Sequence, residues 1–319
     1  MRIVFFGTPE FAAVSLRALL RERLDVVGIV TQPDRPQGRS RSTLVPPPVK
    51  TVAVEAGLPV LQPEKPVGDV FLASLERLRP DLGVVVAYGH ILRPVVLELP
   101  PRGMLNVHAS LLPRLRGAAP IQWAIATGET ETGVSIMQME AGLDSGPVLA
   151  RAATPIGADE TGGRLMARLA GLGAETLLPV LHRLTRGDVA AETQDHAAAT
   201  YAPKLDRATA RIDWSRPAAD VARWIRAFDP VPGAWSVVDG VEVKLLGAAA
   251  EARDTAATGV SGSAGAAPGT VLDAGETLRV VCGDGGAVAV PEAQPAGRRR
   301  APVAEWVRGR GVVAGQRFG

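Results

Sequence analysis

Residues 2–31 read RIVFFGTPEFAAVSLRALLRERLDVVGIVT, and the spacing of their apolar residues changes twice. The run 2–7 is continuously apolar and too short for a helix, which predicts a buried strand. Apolar residues in 11–22 recur at helical spacing, and 25–31 returns to a short β-branched run. Strand, helix and strand in such close order is the repeating unit of a parallel sheet.

Outward from that stretch the alternation continues. A long Pro/Gly/Arg loop runs to about residue 48, followed by a helix at about 49–56 and a short strand, PVLQ, at 59–62. A helix at about 69–78 precedes the strong strand LGVVVAYG at 82–89. GMLNVHA (103–109), TGVSIMQM (132–139) and PVLARAATPI (147–156) complete the strands, and 161–186 is a long amphipathic helix closed by Gly187. The expected fold is α/β: a doubly wound, mainly parallel, Rossmann-like sheet over 1–187, with its site at the carboxyl ends of the strands.

Residues 188–205 turn polar and irregular and read as a linker. Beyond them, over 206–319, the pattern changes. A helix at about 217–228 precedes two strands around Asp239-Gly240, a strong hairpin signal. A second hairpin falls within 269–290 and a short helix at about 302–308. Short strands with frequent turn signals predict a small β-barrel of the oligonucleotide-binding (OB-like) type. Residues 250–268, rich in Ala, Gly, Ser and Thr, read as a disordered loop inserted in it.

A length of 319 residues suffices for two domains, and 46% hydrophobic with 21% charged residues fits a globular protein with a real core. No apolar run approaches a membrane span and the N-terminus begins on a strand, so a cytoplasmic protein without membrane association is expected. The single cysteine, Cys282, excludes an intramolecular disulfide and lies in the strand-like TLRVVCG, as a small buried hydrophobe would. A net charge of +2 is only a weak hint of nucleic acid, so any polyanion must bind through local patches. Four scattered histidines give no metal-ligand spacing, and TPEF after the first strand is neither a dinucleotide fingerprint nor a phosphate loop. Neither metal, NAD nor ATP is expected.

Residues 106–117 read NVHASLLPRLRG, and Asp144 lies in Gly-Leu-Asp-Ser-Gly, 142–146. Asn106 and His108, two apart at a strand end, point to the same side of the sheet. An Asn-x-His pair alone is most often a satisfied strand cap. Here an amide that can hold an oxyanion joins an imidazole that can carry a proton and a carboxylate that can fix the imidazole's charge. The set suits transfer of an activated one-carbon or acyl group to an amine.

NVHASLLPRLRGAAP resembles the signature of the 10-formyltetrahydrofolate-dependent formyltransferases. RIVFFGTPEFA, TQPDRPQGR, YAPKLDRATARIDWSRPAADV and VAEWVRGRGVVAGQRFG extend the likeness over both domains, toward the branch whose acceptor is initiator methionyl-tRNA. The resemblance implies that Asn106, His108 and Asp144 are the catalytic trio and that 10-formyltetrahydrofolate is the formyl donor, with no metal. It implies folate contacts from Ser110, Leu111, Leu112 and Pro113, with Ile91 and Leu92 of YGHIL offering backbone groups to the pterin and His90 peripheral. The loop bearing Arg35, Arg39 and Arg41, with Lys50 just beyond it, would reach the tRNA acceptor stem. Lys204, Arg207 and the run Arg298-Arg299-Arg300 read either as further tRNA contacts or as solvated basic turns. The product would be N-formylmethionyl-tRNA for translation initiation, made by a monomer with folate and tRNA as its partners and no DNA.

Two other readings stay open. One is a formyltransferase acting on a purine precursor or an amino sugar; the other is a non-catalytic RNA-binding protein on the same scaffold. A purine enzyme has no use for 205–319, while DWSRPAADVARWIRAFDPVPGAW and the arginine loop favour tRNA over an amino sugar. The intact Asn106, His108 and Asp144 argue against pure binding.

Overall fold

The computed structural model of the chain describes residues 1–37, 43–187, 190–251 and 265–319. They form two compact units: 1–117 with 132–154 and 166–201, and 118–131 with 155–165 and 202–319.

The first unit is built on a seven-stranded sheet in the spatial order Val148–Pro155, Glu131–Gln138, Met104–His108, Leu82–Val86, Ile3–Gly7, Val26–Val30, Val60–Leu61. Ile3–Gly7 pairs in parallel with both Val26–Val30 and Leu82–Val86, and Leu82–Val86 with Met104–His108. Glu131–Gln138 runs antiparallel to Met104–His108. Ile3–Gly7 and Leu82–Val86 are buried at every residue, as central strands covered on both faces must be. The chain winds away in opposite directions from these two strands, which places a crevice at their carboxyl ends. There Thr8 Oγ1 and Gln32 Nε2 both donate to the Tyr88 carbonyl, at 2.9 and 3.0 Å, tying three strand ends together.

Val4, Phe6, Leu75, Tyr88, Leu92 and Met104 share one buried cluster beneath that edge. Each large apolar side chain contributes about 1.5–3 kcal/mol by leaving water. The Glu10–Arg21 helix buries Phe11, Ala12, Leu16 and Leu19, the stripe its spacing foretold. The Gly162–Arg186 helix ends on Gly187, whose φ of +77° supplies the left-handed turn a helix terminus favours. Gly173 within it allows close approach to the Met104–His108 strand, since a Cβ there would stand 2.9 Å from Val107 Cγ1. Val107 thus faces the helix, leaving Asn106 and His108 on the other face.

The arginine loop is not wholly irregular: Arg35–Gln37 and Thr43–Val45 pair as a short antiparallel hairpin. Arg39 and Arg41 lie outside the described residues. Two short helices, Pro94–Leu97 and Pro120–Ala126, each begin on a proline and are too brief for apolar spacing to announce. Of the stretch expected as a linker, residues 190–201 belong to the first unit and 202–205 to the second. Val148 and Glu192 exchange two backbone hydrogen bonds of 2.8 Å, and Thr200 O accepts the Arg116 N–H at 2.9 Å.

In the second unit the Ala218–Ala227 helix carries Trp224, which meets Trp123 edge-on at 5.9 Å and Phe228 at 4.9 Å between ring centroids. The expected short-stranded architecture takes the form of two four-stranded antiparallel sheets. Trp235–Val238 and Val241–Leu246 form the hairpin read from Asp239-Gly240, and both turn residues are left-handed, at φ +47° and +74°. The expected inserted loop begins later than 250, because Ala249–Glu251 is a paired strand; its residues 252–264 lie outside the described ones. Among the described residues no helix is long and apolar enough to cross a membrane.

Candidate active site

The Met104–His108 strand begins on core Met104 and delivers half-buried Asn106 and buried His108 to its carboxyl end. His108 is opposite Ser135 in the antiparallel register. Ser135 is fully buried, and its hydroxyl donates to Ser110 O at 2.7 Å and accepts the Leu112 N–H at 3.0 Å. One side chain therefore fixes the loop that leaves the Met104–His108 strand.

His108 Nδ1 stands 3.6 Å from Asp144 Oδ2, too far for a direct hydrogen bond but close enough for the carboxylate to face the ring, with the two side chains only 6% and 14% exposed. Its Nε2 lies 2.9 Å from the Leu115 carbonyl. The two ring nitrogens thus face different oxygens, the Asp144 carboxylate and the Leu115 carbonyl. Asp144 is held in turn: Oδ2 accepts the Gly117 N–H at 2.8 Å. Ala87, Leu115 and Asp144 have left-handed backbones at φ +44°, +55° and +48°. Such conformations cost non-glycine residues about 1–3 kcal/mol and persist where their surroundings enforce them, here at one edge of the sheet.

Behind these groups lies a layer that reading the sequence missed. Gln194, only 3% exposed, donates through Nε2 to the carbonyls of Asp144 and Gly146, at 2.9 and 2.6 Å. Arg116, 4% exposed, donates to Gln194 Oε1 from Nε and Nη2, at 3.2 and 2.7 Å. The only available signal was a glutamine and an arginine in polar stretches, which burial alone distinguishes from solvated ones.

The expected folate residues divide. Ile91 is 87% exposed, and Leu111 and Pro113 are partly so. The Leu111 side chain lies against the Glu131–Gln138 strand, since a Cβ on Gly133 would stand 2.6 Å from its Cδ2. The expectation for Ser110, Leu112 and Leu92 narrows, because their side chains are spent on the interior. Ser110 Oγ donates to Arg114 O at 2.6 Å, Leu112 packs on Met137 and Val148, and Leu92 belongs to the core cluster. Leu112 O also accepts Arg151 Nε at 2.9 Å, so both backbone groups of that residue are already engaged.

The expected tRNA contacts divide likewise. Lys50 Nζ binds both oxygens of Asp34, at 2.8 and 2.7 Å, and its charge is compensated within the protein. Gln62 and Lys50, by hydrogen bonding, hold the Asp34 carboxyl below its usual range. Arg35 is exposed, with Nη2 on Gln32 Oε1 at 2.5 Å. Arg207 pairs with Glu242 and lies over the Trp235 ring at 4.8 Å, and Lys204 is exposed. Arg299 pairs with Glu305 at 2.8 Å and Arg300 with buried Asp229 at 2.7 Å, which gives these two a structural task. The Arg300 guanidinium is raised above its ordinary value, first by its Glu292 hydrogen bond.

This geometry meets a family-wide likeness. The formyl transferase family model matches residues 1–181, and that of the formyl transferase C-terminal domain matches 204–311. The chain belongs to the formyl transferase family. Among similar proteins, this formyltransferase is 50% identical to the methionyl-tRNA formyltransferase of Pseudomonas paraeruginosa, over 89% of this chain and 88% of that protein. It is 45% identical to that of Geobacter sulfurreducens over 100% of this chain and 97% of that one. The sugar 3N-formyl transferase WlaRD, solved with dTDP and 5-N-formyl-THF, shares the fold at a TM-score of 0.66 and 14% identity, covering 94% of this chain and 99% of its own. Aquifex aeolicus HypX, solved with tetrahydrofolic acid, aligns at a TM-score of 0.64 and 23% identity over 96% of this chain and 47% of its own. Formyl transfer by this family member is folate-dependent.

Proposed function

We propose that this chain transfers the formyl group of 10-formyltetrahydrofolate to the α-amino group of initiator methionyl-tRNA. The observation that carries the reading is the combination of the His108–Asp144 pair beside Asn106 with 45% identity, over the whole chain, to a methionyl-tRNA formyltransferase. Residues 1–187 supply the chemistry, 188–205 connect, and 206–319 serve as the tRNA platform. The folate contacts are Ile91, Leu111 and Pro113 with backbone groups nearby. Lys204, Arg35, Arg39 and Arg41 approach phosphates, and one of the loop arginines reads the acceptor end.

The amine lone pair attacks the formyl carbon, and the carbonyl π electrons move onto oxygen. Asn106 donates an amide N–H to that oxyanion, a preorganised contact that strengthens as charge develops. Imidazolium His108, steadied by Asp144, adds a second positive group. In the resting arrangement its Nε2 stands 2.9 Å from the Leu115 carbonyl, which would accept an Nε2 proton. An oxyanion is a stronger acceptor than a neutral carbonyl and competes for that proton. Collapse re-forms the C=O bond and breaks the bond from carbon to folate nitrogen, which takes up the proton the amine has lost.

The test is a formylation assay with 10-formyltetrahydrofolate and three acceptors: methionyl-tRNA, an amino-sugar nucleotide and glycinamide ribonucleotide. Formyl incorporation into methionyl-tRNA alone is expected. Preferential formylation of either small acceptor would contradict the assignment.

A further inference from the structure

The segment following the long helix carries more than connectivity. Within the first unit, residues 192–200 touch both loops that bear the catalytic groups. Gln194 Nε2 bridges the Asp144 and Gly146 carbonyls across the turn that presents the Asp144 carboxylate. Its Oε1 is gripped by two nitrogens of buried Arg116. Arg116 sits between Leu115, whose carbonyl meets His108 Nε2, and Gly117, whose N–H meets Asp144 Oδ2. Thr200 completes the clamp: its Oγ1 accepts the Leu115 N–H and its carbonyl accepts the Arg116 N–H, each at 2.9 Å.

Three consecutive residues, 115–117, thus set the His108 ring and the Asp144 carboxylate. The 192–200 segment sets those three residues and the Asp144 turn together. We infer that Gln194, with Thr200, is a positioning residue that holds Asp144 and His108 in their paired arrangement. The inference rests on the formyl-transfer reading only for the rate it should change.

The chemistry of the contact makes the requirement specific. Two carbonyl oxygens converge on one amide nitrogen, so the residue must donate twice. It must also accept from a guanidinium, and a primary amide does both. Left-handed Asp144, at φ +48°, has no intrinsic reason to hold its turn. Removing the amide donor frees two carbonyls and lets the carboxylate drift from His108. A misplacement of about 1 Å in a catalytic group costs on the order of 10²-fold in rate.

Gln194→Glu is the discriminating variant, since it keeps size and the Arg116 contact but loses both donors. Single-turnover formylation should slow by about 10- to 100-fold, with KM for methionyl-tRNA and for folate within about twofold of the parent. In an Asp144→Asn background the same change should cost less than about twofold, because the group it positions is already disabled. A merely structural residue would instead give full, additive losses in both backgrounds. In the protein without substrates, NMR signals of the His108 ring should move in Gln194→Glu and in Thr200→Val, which is isosteric at an exposed site and keeps the test alive if the first variant does not fold. Additive rate losses, or His108 signals unmoved in every folded variant, would overturn the inference. A parent protein that fails to formylate methionyl-tRNA while its His108 signals respond would instead sink the functional reading and spare this one.

Discussion

Asp144 Oδ2 stands 3.6 Å from His108 Nδ1 while accepting the Gly117 N–H at 2.8 Å, so one oxygen both anchors the carboxylate and faces the imidazole. The Asp144 carboxylate is therefore held by backbone, and replacing its charge need not move the side chain.

Asp144→Asn should lower the single-turnover rate by about 10²–10³ with little effect on folate affinity, since the amide keeps an oxygen for Gly117 but cannot stabilise an imidazolium. Equilibrium folate binding and rapid-quench formylation, measured side by side, check the split. A parallel loss in both would mean that the carboxylate binds rather than assists.

Ala87→Val should destabilise the protein by about 2 kcal/mol. The residue is exposed, so no cavity or clash in the core intervenes, but its φ of +44° is a conformation that a β-branched side chain strongly resists. Chemical denaturation gives the number directly. A midpoint equal to the parent's would remove the claim that the crevice edge stores backbone strain.

Much of this organisation is legible in the sequence, and the parts that are not share a cause. Ile3–Gly7, the Glu10–Arg21 helix and the Asp239-Gly240 hairpin are local: apolar period and turn chemistry suffice to place them. Asn106 and His108 are legible because a strand's two-residue period puts them on one face. Gln194 and Ser135 are not, because each acts on a residue dozens of positions away and its type is unremarkable until burial is known. Lys50 and Arg300 show the converse: their charges look available in sequence, and their pairing with Asp34 and Asp229 becomes visible only in the fold.

That pairing separates the basic residues. Lys204→Ala should weaken tRNA binding and shallow the dependence of log K on log salt by about 0.7–0.9, one phosphate contact. Lys50→Ala should leave the slope unchanged, because that ammonium is committed to Asp34. Filter-binding titrations over a salt series decide between them, and equal slope changes would put Lys50 back among the phosphate contacts.

The Asp34 anchor also has a pH signature. Its carboxyl is held below the ordinary 3.8, chiefly by Gln62 and then Lys50, so its stabilising contribution is present above that value and lost as the pH falls through the lower folded one. The stability difference between the parent and Asp34→Asn should be constant from neutral pH to about 5 and shrink below 4. A difference that grows on acidification would reverse the sign and remove the anchor.

Cys282 should be chemically silent. It is 1% exposed, and burial, with Asp284 adding to it, pushes its thiol up to about 12. Thiol reagents at pH 8 should label it only at the rate of unfolding, and Cys282→Ala should keep the full formylation rate. Rapid labelling of the native protein coupled to loss of activity would contradict both statements.

The central claim is that Asn106 holds the oxyanion formed when a formyl group meets the amine of methionyl-tRNA. Single-turnover formylation by the parent and by Asn106→Ala, at saturating 10-formyltetrahydrofolate, tests it most directly. The account predicts a rate reduced by about 10²–10³ with substrate affinities largely kept. An Asn106→Ala rate within a few-fold of the parent's would contradict it.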